Sequence, residues 1–109
     1  MAEDFERLFA DVREFGWDPK KRESNLRDKK IDFDDAKEVF DGDILVRRSD
    51  RHDEIRYPVF GYLQGRHVTI VCTLRGSVCW IISARRASRR ERGRYYPRLP
   101  RRAPSEGQD

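Results

Sequence analysis

The chain is 109 residues long, 37% hydrophobic and 40% charged, with a formal net charge of +4; this size and balance fit one domain with a small core and exclude a large buried cofactor. Two cysteines and two histidines are too few for a disulfide scaffold or a cysteine and histidine zinc site, so no metal and no cofactor is expected. There is no apolar run of about 18 residues, and Met1-Ala2-Glu3-Asp4 opens without a basic region followed by an apolar one, so the sequence predicts neither a membrane span nor a secretory signal, and a cytoplasmic location.

Phe5, Leu8, Phe9 and Val12 recur at helical spacing behind Glu3, Asp4 and Glu6, which predicts an N-terminal helical extension over residues 1–12. Arg13 to Trp17 reads as a short strand. Asp18-Pro19 supplies an N-cap and a proline at the first helical position, so a second helix runs from there to about Arg27, anchored by Trp17 and Leu26. In a third helix Asp32 caps, Phe33, Ala36, Val39 and Phe40 share a face, and Gly42 offers a left-handed exit.

From Ile44 onward the period becomes two. Ile44–Arg48, Ile55–Leu63, Val68–Leu74 and Val78–Ala84 read as strands, with turns at Ser49–Asp53, Gln64-Gly65 and Arg75-Gly76, an antiparallel meander. Pro58 removes a ladder donor, so its strand is an edge or carries a bulge. Cys72 and Cys79 are equidistant from the Arg75-Gly76 turn and are expected to face each other as small reduced core residues. Val71, Trp80 and Ile82 line up on the other face, and a sheet apolar on both faces needs cover on both, from a partner protein or from the N-terminal helix. Ser83 to Arg92 opens a last helix that ends near Tyr95-Tyr96 because Pro97 cannot continue it. Residues 97–109, rich in proline and arginine, read as a disordered tail. The fold class is therefore α+β: a central antiparallel sheet, helices mainly on one face, and a C-terminal helix.

Charge divides the chain. Residues 1–54 carry 12 Lys and Arg against 17 Asp and Glu, a balance of −5, whereas residues 55–109 carry 12 Arg, no Lys and 3 acids, a balance of +9. The guanidinium fork grips phosphate oxygens in pairs, so an arginine-only basic half points to phosphate; the competing explanation is a solvated basic face.

Phe15-Gly16-Trp17-Asp18-Pro19-Lys20, Asn25, Ile31-Asp32-Phe33 with Ala36 and Phe40, Glu54 and Arg56 with Gly61, and Ile81-Ile82-Ser83-Ala84-Arg85-Arg86-Ala87 with Glu91 and Tyr95 resemble the BrnT toxin family in order and spacing over residues 13–96. The resemblance implies a RelE-like fold and a type II toxin that cuts RNA and blocks translation. It also implies neutralisation by a BrnA-like antitoxin, through which the complex reaches operator DNA. Where the family shows Lys-His-Gly before the third helix, this chain has Asp28-Lys29-Lys30. A lysine is a poor base unless its surroundings lower its pKa, so an alternative reading is an impaired RNA-binding or co-repressor subunit acting only with the antitoxin.

Cutting RNA without a metal needs proton transfer and cations around a pentavalent phosphate. Arg85 and Arg86, where the last strand meets the last helix, are expected to supply those cations; the bland alternative is pairing with Glu54 or Glu91. Glu54 and Arg56 are two apart on one strand, so they share a face and are expected to pair, with Arg56 facing the phosphate. Lys29 is the proton-transfer candidate through the family position alone, set against a solvated surface lysine. Arg75, Arg89, Arg90 and Tyr95 are candidate RNA contacts, Tyr95 by stacking or by packing its helix. Of the two histidines, His52 stands nearer Glu54 and Arg56 than His67 does.

Overall fold

The computed structural model describes residues 5–51 and 53–99. Two helices precede a long three-stranded meander and a third follows it. Strands are β1 (Glu14–Gly16), β2 (Leu45–Val46), β3 (Ser49–Arg51), β4 (Glu54–Leu63), β5 (Arg66–Arg75) and β6 (Val78–Arg86); helices are α1 (Pro19–Lys29), α2 (Phe33–Ala36) and α3 (Arg89–Arg94). The sheet order is β1-β6-β5-β4-β2, with β3 also on β4. The α+β class and the C-terminal helix are as expected. The sheet itself is mixed, because β1 runs parallel to β6 at the edge, Phe15 opposite Cys79. Such a pairing joins segments far apart in sequence, which local patterning does not report.

The caps explain the helices. Asp18 accepts the Lys20 N–H at 2.9 Å and Pro19 fills the first helical position. The buried side chain of Asn25, not Leu26, ties α1 down: its amide donates to the Ile31 and Ala84 carbonyls, both at 2.8 Å, and accepts from the Ala84 N–H at 3.2 Å. Leu26 is 47% exposed, since it lies on the outer side of the helix. The expected third helix is α2 followed by a 3-10 turn over Lys37–Asp41. Gly42 there has φ −107° and gives no left-handed exit, because the tighter turn already closes on the Val39 carbonyl. Of the expected N-terminal helix, Phe5–Phe9 forms a 3-10 turn. Phe5, Phe9 and Val12 pack on the core, while Leu8 stays exposed.

That core lies between the sheet and the 3-10 turns, α1 and α2, and includes Phe33, Val39, Val59, Ile70 and Ile81, each at most 1% exposed. On the opposite face α3 and the 3-10 turn Tyr96–Arg98 cover Phe60 and Tyr62 through Ala87, Tyr96 and Leu99. Burial pushes the Tyr96 phenol pKa up, so it stays protonated and donates to the Gly61 and Val68 carbonyls. Leu99, expected in the tail, is 4% exposed in this second cluster; residues 100–109 lie outside the described residues. Val71, Trp80 and Ile82 are half-buried, so this face is covered only in part.

Two register details place the site. Pro58 lies opposite Arg47, whose N–H donates to the Pro58 carbonyl at 2.9 Å, but proline cannot return the bond. The partner strand breaks there into β2 and β3, and Arg47 and Arg48 fall in the break. On β6, Cys72 faces Ile81 but Val71 faces Ser83, so Ile82 is an extra residue in a β-bulge. Arg75 pairs with Val78 around Gly76-Ser77, one residue later than the expected turn. Cys79 therefore faces Leu74 and Cys72 faces Ile81, so the two cysteines are diagonal neighbours rather than directly opposed as expected, with their thiols still in hydrogen-bonding contact; both are free and buried. The last helix starts later than Ser83, since β6 continues through Arg86 and Ser88 caps α3. Among the described residues no helix is long and apolar enough to cross a membrane.

Candidate functional site

The bulge at Ile82 resets which way β6 points. Cys79 and Ile81 face the core; after the extra residue it is Ala84 that is buried, and Ser83 and Arg85 turn to the other face. There they line a groove of about 710 Å³ between the open sheet face, the β2–β3 break and α3. Its floor is Pro58, Phe60 and Val71. Arg47, Arg48 and Arg51 line it from the break, Arg56 and Arg85 from the sheet, and Arg90 and Arg94 from α3. Among the described residues Glu91 is the one acid in this lining.

Each cation near the floor has a defined neighbour. Arg85 donates to both Glu91 oxygens at 2.8 and 2.9 Å. Glu91 also accepts from the Thr69 hydroxyl and the Ser88 N–H, each at 2.9 Å. The Arg85 hydrogen bond leads in holding the Glu91 carboxyl down at about 2, with the Ser88 and Thr69 bonds adding to it. Arg56 Nε lies 3.5 Å from Glu54, buried and without a hydrogen-bond partner among the described residues. Tyr95 stacks on Phe60 with centroids 4.3 Å apart, and the Arg47 and Arg94 guanidiniums lie 5.9 and 5.6 Å from its ring.

The groove thus brings together Arg56, Arg85, Arg90 and Tyr95 of the expected residues, with Glu54 behind Arg56. Arg86 follows Arg85 on a strand and points the opposite way; it lines a different cleft with Lys29, Lys30 and Arg66. Arg75 lies 4.3 Å over the Trp80 ring and 3.9 Å from Glu54, outside the groove lining. Arg89 is exposed at the start of α3. His52 lies outside the described residues, and His67 opens β5 against Tyr62 and Tyr96. Missed by sequence reasoning were Arg47, Arg48, Arg51 and Arg94. Three arginines within five residues of an acidic half were the available signal for the first three.

The family profile described as the ribonuclease toxin, BrnT, of type II toxin-antitoxin system matches residues 17–91. The 1.1 Å crystal structure of the Brucella abortus ribonuclease toxin BrnT superposes with a TM-score of 0.60 at 27% identity, covering 72% of this chain and 100% of that one. No curated protein matches the chain. With a profile match spanning both halves of the sheet and a solved relative of the same fold, the chain belongs to the BrnT family of ribonuclease toxins of type II toxin-antitoxin systems.

Proposed function

We propose that RNA is bound and cut in the arginine groove, that the cut blocks translation, and that no metal ion takes part. The observation carrying this reading is the turn of Arg85 onto the same face as Arg56, in a groove lined, among the described residues, by seven arginines and a single, fully engaged carboxylate. Cleavage by the 2'-hydroxyl builds charge on a pentavalent phosphate, and preorganised cations aimed at that charge are the largest catalytic term such a site offers. Arg56 and Arg85 stabilise that charge. Glu54 and Glu91 are positioning residues that hold the two guanidiniums, and a carboxyl held near 2 is too weak a base to move the proton. Arg90 grips neighbouring phosphate and Tyr95 takes a base by stacking. Lys29 and Arg86 line another cleft and stand outside this chemistry. The antitoxin partner is of the BrnA kind, operator DNA is reached only through it, and the toxin acts in the cytoplasm, where its two free thiols stay reduced.

Adjacent arginines on opposite faces give the test. Arg85→Ala lowers the cleavage rate of the purified chain by roughly 10²- to 10³-fold with little change in RNA affinity, while Arg86→Ala leaves turnover near that of the parent. Equal, small losses for both would reduce Arg85 to part of a basic surface. A parent chain that binds RNA without cutting it would favour the co-repressor reading.

A further inference from the structure

Residues two apart on a helix face opposite ways, so Arg90 and Arg94 line the groove while Arg92 faces the other side of α3. On that other side three clefts adjoin at the ends of β4, β5 and β6. The first, about 360 Å³, lies beside the end of α1. The second, of similar volume, shares Arg66 and Arg86 with it; the third, about 410 Å³, shares His67 and Arg92 with the second and is walled by Tyr62, Tyr96 and Pro97.

The charges here differ from those on the groove floor. Among the described residues Arg66 and Arg86 have no carboxylate within ion-pair distance. Asp32 and Asp35 line the α1 end of the first cleft, and Asp32 is occupied by Arg22 at 2.7 Å. Arg92 is steadied by one bond to the Ala87 carbonyl at 3.0 Å, which, among the described residues, leaves the rest of its fork open. Beside these cations His67 packs 5.1 Å from Tyr62 and 4.7 Å from Tyr96, and His67 and Tyr62 are only half-buried. Unpaired guanidiniums next to a partly open aromatic wall match the backbone and one unstacked base of single-stranded RNA.

We infer that the strand-end cleft of Arg66, His67 and Arg92 is a second contact for single-stranded RNA, holding the strand beyond the cut on the far side of α3. The inference rests on the reading that RNA is cut in the groove. A helix about 10 to 12 Å across separates the two places, and single-strand sites run from about 4 nucleotides for one patch to about 16 for an extended track. A short RNA then occupies the groove alone, and a longer one fills both.

The test compares RNAs of about 4 and about 16 nucleotides on the folded full chain. Binding is followed with 2'-O-methyl RNA, which lacks the attacking hydroxyl. Arg66→Ala combined with Arg92→Ala is expected to weaken the longer RNA by roughly tenfold and to reduce the salt dependence of its binding by about 1.4 powers of salt, about 0.7 per phosphate contact. The same variant should cut the shorter RNA at the parent rate. His67→Ala is expected to weaken the longer RNA without changing its salt slope, the mark of a lost stacking contact. Unaltered affinity and slope for the longer RNA, with melting unchanged, overturn the inference, as does loss of affinity for the antitoxin alone, which would make the cleft a protein-docking surface. Failure of the groove reading appears elsewhere, as undiminished cutting by Arg85→Ala.

Discussion

Arg85 and Glu91 form a two-pronged ion pair at 2.8 and 2.9 Å that joins the last residues of β6 to the first turn of α3. Glu91 completes a capping box with Ser88 in the same stroke, so one carboxylate both starts the helix and aims the arginine. Its folded-state pKa of about 2 lies below the ordinary 4.5. The stabilisation is therefore fully present above about pH 4.5 and is lost as pH falls toward 2. Glu91→Gln should be less stable at neutral pH by on the order of 2 kcal/mol, with the gap to the parent closing between pH 4.5 and 2 in chemical denaturation. A gap that stays constant through that range would remove the ion pair as its cause.

Asn25 is the polar bolt between α1, the loop at Ile31 and β6. Asn25→Ala leaves the Ala84 N–H and two carbonyls without these partners inside a buried site, and should lower the unfolding free energy by about 2 to 4 kcal/mol. Asn25→Asp should be no better, because a carboxylate cannot donate to the Ile31 and Ala84 carbonyls. Urea midpoints at unchanged m-value check both.

Gly61 is required for want of space. A Cβ there would lie 2.7 Å from Val39 Cγ1 and 3.4 Å from Ile44 Cγ2, and Val39 is 1% exposed, so neither neighbour gives way freely. Gly61→Ala should destabilise by about 1 to 3 kcal/mol. An unchanged melting temperature would show that the 3-10 turn over Lys37–Asp41 shifts to make room.

Lys29 holds the position at which the family has histidine but lines the cleft with Arg86, away from the groove. Lys29→His should leave both the rate of RNA cutting and its pH profile as in the parent. A profile that moves toward neutrality would bring Lys29 back into proton transfer and shift the cut to that cleft.

Much of the fold was legible because it is decided locally. Asp18-Pro19 and Asp32 cap helices through bonds to residues two positions on, and the Gln64-Gly65 turn with φ of 51° and 81° is chosen by two residues that tolerate the left-handed region. The resemblance to a toxin family was likewise carried by motifs standing in the sequence, as were the pairing of Glu54 with Arg56 and four residues that come to line the groove, Arg56, Arg85, Arg90 and Tyr95. What no local pattern reports is the direction each arginine points. Cys79, Trp80, Ile81 and Ile82 form an unbroken apolar run, which has no alternation to give the phase of β6, and the extra residue at Ile82 exists only in its register with β5. That shift sends Arg85 into the groove and Arg86 away from it. In the same way the break opposite Pro58 opens only because another strand needs the N–H that proline lacks, and it brings Arg47 and Arg48, from the acidic half of the chain, to the basic site.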